Sequence, residues 1–264
     1  MDESTHDRAK VRKAGGVAAL YLALAYLAAM PYFLLVVDYP SASTAADKVA
    51  LVLGNYPSMY AMYLSTYVVF GIALGVLSLE LYDRLQAGTT LTRRVAAAVG
   101  LMWSFALVTS GLVLTYGMTA IVALAKTDRA QAILAWQAIE PVALGLGGAG
   151  GELLGGLWVL LVSWVALRGR ELPKALGRLG MVIGAVGLAS VVPPLQGAAI
   201  AFGLLQIVWF VWLGVSLLTV KERAAEVDQV DSSAARLAAV QHAHSASPAP
   251  RAVDSGRKPI AGSS

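Results

Sequence analysis

The sequence predicts an all-α, polytopic membrane protein with six transmembrane helices and both termini in the cytoplasm. Hydrophobic residues make up 58% of the 264 residues and charged residues only 14%, with a mean hydropathy of +0.67. These values lie outside the range of soluble globular domains. The apolar residues also fall in long uncharged blocks, and a block of about 18 or more residues matches the ~30 Å hydrocarbon core of a bilayer. The distribution of basic residues supplies the orientation.

Six apolar blocks are predicted to be spans, at residues 15–37, 58–79, 95–124, 146–167, 179–192 and 198–220. The first block is longer than a signal-peptide core and further spans follow it. We therefore expect an uncleaved anchor, although the short Ser-Ala-Ser sequence at 41–43 leaves cleavage open as an alternative. The third block is long enough that it must tilt or protrude. The blocks together define a transmembrane domain over residues 15–220.

Charged or polar connectors separate the predicted spans. The first, at 38–57, is expected to be a loop with a short interfacial helix at 46–53. The connector at 125–140 contains Trp136 and is expected to be polar and non-spanning. Pro141 can open the next helix, because its missing N–H falls where no partner exists. Glu140 is then expected to be a solvated carboxylate at the membrane boundary.

Basic residues orient the chain. On one side the connectors carry seven of them: Arg84, Arg93, Arg94, Arg168, Arg170, Lys174 and Arg178. The opposite side carries only Lys48, Lys126 and Arg129. The excess of Lys and Arg in cytoplasmic loops therefore predicts that both termini are inside. The same bias explains the sequence pI of 9.3, so the expected partner is the lipid bilayer and not a nucleic acid.

Two polar segments flank the transmembrane domain. Residues 1–14 form a predicted cytoplasmic N-terminal arm. Residues 221–264 form a predicted cytoplasmic tail that is mostly disordered, because its Ser-, Ala- and Pro-rich end has no apolar periodicity.

The residues that most enzymes and metalloproteins need are missing from the predicted spans. The chain has no cysteine, which excludes disulfides, thiol catalysis and cysteine-based metal sites. Its three histidines, His6, His242 and His244, all lie in the flanking segments. None of the HExxH, GxSxG and P-loop motifs occurs. We therefore predict a protein that is not an enzyme, with no catalytic residues, metal or cofactor.

The fourth predicted span carries a single carboxylate, Glu152, among seven glycines in GLGGAGGELLGGLWVLLVSW. On a continuous helix Gly147, Gly151 and Gly155 would form one row beside it, because residues four apart share a face. Rows of small residues allow neighbouring helices to approach closely. The fifth span has a matching stripe that includes Gly180, Gly184 and Gly187. We therefore expect the fourth and fifth spans to pack along these glycines.

Two interpretations of Glu152 remain open. An ionised carboxylate is costly in hydrocarbon, and counting ~1.5 Å per residue from Arg168 places Glu152 about 24 Å from the cytoplasmic end. It is either a proton-binding or cation-binding group in a polar cavity, or one side of an interhelical hydrogen bond. No lysine, arginine or histidine lies at a comparable depth. Its candidate neutral partners are Gln206, Tyr63, Tyr67 and Tyr116.

The sixth span carries the other polar candidate. Gln206 and Trp209 share a helix face. With Glu152 and Trp158 they make up the candidate ligand-binding residues. The alternative for Gln206 is an interhelical hydrogen bond, and for the tryptophans packing or an interfacial position.

Three segments resemble a known family: GGAGGELLGGLWVLLVSWVALR, LPKALGRLGMVIGAVGL and FGLLQIVWFVWLGVSLL. They are similar to the second half of a bacterial multi-pass inner-membrane family catalogued as a domain of unknown function. The resemblance implies a six-helix protein of the bacterial plasma membrane and supplies no activity. The matching positions are Glu152, Gly155, Gly156, Leu157, Trp158, Trp164, Leu172, Pro173, Gly177, Gln206, Trp209 and Trp212.

Two functions follow from these observations. The first is a non-enzymatic module that acts by helix packing with a second copy or with another membrane protein. The alternative is a small-solute or proton-coupled transporter with a polar site around Glu152 and Gln206. A water-filled cavity that reaches Glu152 would favour the transporter, and a dry, packed bundle would favour the interaction module.

Overall fold

The computed structural model describes residues 3–147, 152–169 and 171–219, with side chains from residue 13 onward. Within these residues the chain is helical and contains no β-strand. The helices are α1 Glu3–Pro31, α2 Ala45–Tyr63, α3 Phe70–Arg84, α4 Thr90–Leu124, α5 Arg129–Gly147, α6 Leu153–Arg168, α7 Lys174–Ala189 and α8 Ala198–Thr219. The predicted tail at 221–264, Gly151 and Arg170 lie outside the described residues.

Four helical stretches of the described chain are long and apolar enough to cross a membrane: Lys13–Val36, Ala45–Arg84, Thr90–Leu124 and Ala198–Thr219. They correspond to the predicted first, second, third and sixth spans, and their length and composition are those of a membrane protein. Helix α6 is apolar but shorter, with 16 residues. At 1.5 Å per residue, α6 and α7 each extend about 24 Å, less than the ~30 Å of a hydrocarbon core.

The second long stretch is interrupted in two places. Helix α2 begins with a capping box, in which Thr44 Oγ1 accepts from the Asp47 N–H and Asp47 accepts from the Thr44 N–H. It is kinked at Asn55, two residues before Pro57, so the predicted short helix at 46–53 is its first half. A π-helical segment, Leu64–Val69, then joins α2 to α3.

The predicted connector at 125–140 and the predicted fourth span are wrong in their boundaries. Helix α5 begins at Arg129 and continues through Pro141 to Gly147, where the sequence predicted a polar connector and a helix start. Its buried residues Ala132, Trp136 and Ala143 recur at helical spacing, and burying this face stabilises the helix. The fourth span is divided, because α6 begins only at Leu153.

Helices α5 and α6 follow one another along the same neighbour, α4. Four contacts mark this course from one end of α4 toward the other: Gly117 with Ile139, Ser110 with Ala143, Trp103 with Gly155 and Gly100 with Trp158. Ser110 Oγ donates to the Ala143 carbonyl oxygen at 2.7 Å. Together α5 and α6 therefore run antiparallel to α4, with Glu152 outside the helical conformation just before α6.

Buried apolar side chains form two clusters. The larger is built around Trp103, Trp158 and Trp209 and draws on α1, α3, α4, α6, α7 and α8. The smaller surrounds Trp136 and joins α2, α4 and α5. Tyr67, in the π-helical segment, packs against both clusters. This π-helical segment therefore lies where the two cores meet.

Candidate functional site

A cavity of about 140 Å³ reaches Glu152. Residues from α1, the π-helical segment, α3, α4 and the break between α5 and α6 line it: Ala25, Tyr26, Ala29, Thr66, Tyr67, Phe70, Trp103, Leu107, Gly147 and Glu152. Glu152 contributes the one carboxyl group in this lining. The cavity therefore combines a largely apolar wall with a single group that can carry charge.

The irregular backbone around the cavity is held by specific hydrogen bonds. Thr66 Oγ1 donates to the Met62 carbonyl oxygen at 2.7 Å, and the Tyr21 hydroxyl donates to the Ser65 carbonyl oxygen at 2.8 Å. Single π-helical turns inside α-helices are frequent at functional sites. Discontinuous helices are likewise a recurrent feature of transporter binding sites. Both features occur here in the wall of one cavity.

Glu152 is the N-terminal cap residue of α6 and is fixed through its backbone. Its N–H donates to Ser190 Oγ at 3.0 Å, and Ser190 Oγ donates to the Gly187 carbonyl oxygen at 2.7 Å. Ser190 directly follows α7, so the position of Glu152 depends on the docking of α7 against α6. The backbone of Glu152 is therefore held in place, and its side chain extends from this fixed point into the lining of the cavity.

The carboxyl group of Glu152 has no hydrogen-bond partner among the residues that the structure describes. The hydroxyl groups of Tyr26 and Tyr67 lie close enough to interact with it electrostatically, without a direct hydrogen bond. Glu152 is half-buried, and withdrawing a carboxyl group from water without a hydrogen bond in the described chain is costly. A proton, a cation or a hydrogen-bond donor in the cavity would lower that cost.

The structure separates the predicted partners of Glu152. Tyr67 shares its cavity, whereas Tyr116 is 73% exposed on the outer face of α4. Tyr63 belongs to the smaller hydrophobic cluster and does not line the cavity. Gln206 is fully buried and does not line it either. Of the two residues predicted to form a polar site, only Glu152 lines this cavity.

Gln206 lies in the packed part of the bundle with the two candidate tryptophans. Trp158 and Trp209 are fully buried and meet edge to face, with their ring centroids 5.9 Å apart. The amide of Gln206 and both indole N–H groups have no hydrogen-bond partner within the described chain. Trp158 and Trp209 belong to the larger cluster, and none of the three side chains lines the cavity at Glu152.

The predicted packing glycines lie at three different contacts. Gly180, Gly184 and Gly187 on α7 face α6, where they meet Ser163, Leu160 and Gly156 respectively. Gly147 instead packs against Ser110 and Tyr67, beside the cavity. Gly155 packs against Trp103 and Phe202.

A buried ion pair escaped the sequence-based interpretation, which treated Glu140 as solvated. Glu140 is buried and accepts hydrogen bonds from Lys48 Nζ, at 2.8 and 2.9 Å, and from the Tyr39 hydroxyl, at 2.7 Å. Burial and the hydrogen bond to Glu140 raise the pKa of Tyr39, so its hydroxyl keeps the proton that it donates. One feature of the sequence pointed to this pair. Charged residues are scarce on the predicted non-cytoplasmic side, so Lys48 and Glu140 have few other possible partners there.

The described residues hold no group of three or more His, Cys, Asp or Glu side chains that could bind a metal ion. Glu152 alone offers too few ligands for a divalent cation, since Ca²⁺ takes about 6–8 oxygen ligands and Mg²⁺ requires octahedral coordination. The chemistry available at the cavity is therefore reversible binding by one carboxyl group, with hydroxyl groups and aromatic rings around it.

Comparisons with known proteins return no match. No protein-family model, no curated protein and no solved structure matches the chain. Function is therefore inferred from the cavity and its lining residues.

Proposed function

We propose that this chain is a membrane carrier that binds a proton or a small solute at Glu152. The observation that carries the proposal is a cavity of about 140 Å³ that reaches a carboxyl group without a hydrogen-bond partner in the described chain. Intramembrane ionisable residues commonly mark substrate, ion or proton pathways. Glu152 is the binding group, and the proposal assigns no catalytic residue or cofactor.

The surrounding backbone supports a carrier because it departs from regular helix on two sides of the site. The π-helical segment Leu64–Val69 supplies Thr66 and Tyr67, and the α5–α6 break supplies Glu152. Irregular backbone at membrane depth is tolerated where it is buried in protein or lines a cavity. Such elements can change conformation with less disruption than a continuous helix, as alternating access requires.

The competing proposal is an interaction module that packs against a second copy or another membrane protein. Its main support was the set of glycine rows in the fourth and fifth spans. Gly180, Gly184 and Gly187 are covered by α6 within this chain, so they do not offer a free packing surface. The cavity therefore favours the carrier.

The proposal includes a topology of six passes in a bacterial plasma membrane, with both termini in the cytoplasm. The course of α5 and α6 along α4 supports it, because together they make one pass and α7 makes the next. In this arrangement Lys174, at the start of α7, lies on the cytoplasmic side. A four-pass arrangement that used only the four long helical stretches would place Lys174 on the opposite side.

Cysteine labelling distinguishes the two topologies without background, because the natural chain contains no cysteine. We expect Thr127→Cys to react with a membrane-impermeant maleimide in intact cells. Lys174→Cys should react only after permeabilisation. Both positions are exposed in the structure, so accessibility to the reagent does not differ for local reasons. Labelling of Lys174→Cys in intact cells would contradict six passes.

Native mass spectrometry of the protein purified from its own membrane tests the binding site. We expect the wild type to carry a bound small molecule, or to take one up from an extract of small metabolites, and Glu152→Gln to lose it. Asp83→Asn is the matched control, because it removes an exposed carboxylate outside the cavity. Equal occupancy in the wild type and in Glu152→Gln would refute a site centred on Glu152. A dimer or protein partner that survives the substitution would instead support the interaction module.

A further inference from the structure

We infer that the ligand of this cavity is a small organic monocation, of the ammonium class, held between Glu152 and a wall of aromatic rings. The inference rests on the proposed function, since it names the chemical class that the Glu152 site would bind. Three properties of the cavity carry it: its volume, the composition of its wall and the balance of its charges.

The volume limits the ligand to a few non-hydrogen atoms. An apolar cavity of about 150 Å³ accommodates a molecule of the size of benzene. The cavity at Glu152 measures about 140 Å³. A peptide, a nucleotide or a lipid is therefore too large, whereas a small alkylammonium ion fits.

The wall is unusually aromatic. Four of the ten lining residues are aromatic: Tyr26, Tyr67, Phe70 and Trp103. Phe70 is in edge-to-face contact with Tyr26, at a centroid distance of 5.4 Å, and with Trp103, at 6.4 Å. The rings thus form a continuous surface across α1, α3 and α4. Aromatic side chains attract cations through the negative face of the ring, and quaternary ammonium ligands are recognised in this way.

The charge balance selects a cation. Among the described residues the lining contains one carboxyl group and no lysine, arginine or histidine, so an anion would meet repulsion from an ionised Glu152 and no compensating charge there. An inorganic cation would have to replace its water shell with protein oxygens. Besides Glu152, the described lining supplies side-chain oxygens only from Thr66, Tyr26 and Tyr67, which are neutral hydroxyl groups and few in number. An organic cation needs only one carboxylate and apolar contact, which this wall supplies.

The experiment measures binding of tetramethylammonium to the full-length protein in lipid nanodiscs by titration calorimetry. The neutral comparison ligand is tert-butanol, which has a similar shape and size. We expect saturable binding of tetramethylammonium, no saturable binding of tert-butanol, and loss of tetramethylammonium binding in Glu152→Gln. Trp103→Leu should weaken binding about tenfold, and Trp103→Phe should restore most of it, because the ring provides the attraction.

Phe105→Leu is the matched control for the aromatic wall. Phe105 lies on the same helix as Trp103 but is 73% exposed and away from the cavity, so its replacement should leave binding unchanged. Thermal melts of each variant confirm that the protein is folded. Equal binding of tetramethylammonium by the wild type and Glu152→Gln, or by the wild type and Trp103→Leu, would overturn the inference.

The outcomes also separate this inference from the proposed function. Binding of K⁺ or Na⁺ that depends on Glu152, without binding of tetramethylammonium, would overturn the organic class and leave the carrier standing. Absence of binding for all of these cations would overturn the cation site. The comparison of native mass spectra between the wild type and Glu152→Gln then decides separately whether Glu152 binds any ligand.

Discussion

Gly184→Leu is expected to lower the melting temperature of the detergent-solubilised protein by about 10 °C or more. A Cβ atom on Gly184 would lie 2.7 Å from the Gly156 carbonyl oxygen and 2.9 Å from the Leu160 backbone nitrogen. Both are backbone atoms of α6, so side-chain rotation cannot relieve the overlap and the two helices must separate. Overpacking of a core commonly costs about 1–3 kcal/mol, and about 3 kcal/mol corresponds to about 10 °C in a chain of this length.

The same close contact is found from the α6 side. We therefore expect the loss of stability in Gly184→Leu to lie at the upper end of that range, about 3 kcal/mol. A Cβ atom on Gly156 would lie 2.8 Å from the Leu188 backbone nitrogen and 2.9 Å from the Gly184 carbonyl oxygen. Neither helix can therefore accommodate the other by a local shift. Separation of α6 and α7 would also disturb Ser190, which holds the backbone of Glu152.

Gly145→Leu is the matched control for this substitution. Gly145 lies in helix α5, is exposed, and has no atom within 4 Å of the position that its Cβ would occupy. Leucine has a higher helix propensity than glycine, so this variant should melt at the same temperature as the wild type or slightly above it. An unchanged melt of Gly184→Leu, measured by differential scanning fluorimetry beside this control, would show that α6 and α7 are not in close contact.

The long helices could be predicted from the sequence because they depend on local composition. An uncharged apolar run of the length of 95–124 or 198–220 has few alternatives to a membrane helix, and α4 and α8 cover these runs. The spacing of Gly180, Gly184 and Gly187 likewise predicts one helix face, and the structure places all three against α6. The helix that a glycine face contacts is easiest to predict when the two helices are consecutive in the sequence, as α6 and α7 are.

The break beside Glu152 could not be located in the same way. Glycine changes hydropathy little, so the fourth apolar block looks continuous even though Glu152 is not helical and α6 begins only at Leu153. Glu152 and Gln206 were grouped because both are polar residues in apolar blocks. Their separation depends on the tertiary positions of α6 and α8, which no local pattern encodes. The cavity is equally non-local, since residues as far apart as Ala25 and Glu152 line it.

The Lys48–Glu140 pair shows the same limitation most clearly, since 92 positions separate the two residues. When only the local sequence is considered, Lys48 and Glu140 each suggest a solvated charge at the membrane boundary. The pairing depends on α2 meeting α5, and on α5 starting well before Pro141. Glu140 is then buried on the inner face of α5, together with Trp136. Its burial makes the pair important for stability.

Lys48→Met is expected to lower the free energy of unfolding by about 2–3 kcal/mol. Lys48 Nζ donates to both carboxylate oxygens of Glu140, and the two side chains are 26% and 10% exposed. Removing one partner of a buried ion pair leaves an uncompensated charge and typically costs about 3–5 kcal/mol. Partial exposure of Lys48 lets water compensate for some of this loss, so the expected effect lies below that range. Urea- or heat-induced unfolding in detergent measures it.

The double variant Lys48→Met with Glu140→Gln separates the ion pair from simple loss of packing. A neutral amide at position 140 can still accept the hydrogen bond from Tyr39, and it no longer leaves a buried charge unpaired. We therefore expect the double variant to regain most of the stability that Lys48→Met loses, because breaking a buried pair costs more than replacing both of its partners. Glu140→Gln alone should also destabilise, since it leaves Lys48 without its carboxylate. If the two single effects simply add in the double variant, the residues are not coupled, and the contact between α2 and α5 depends on packing around Trp136 instead.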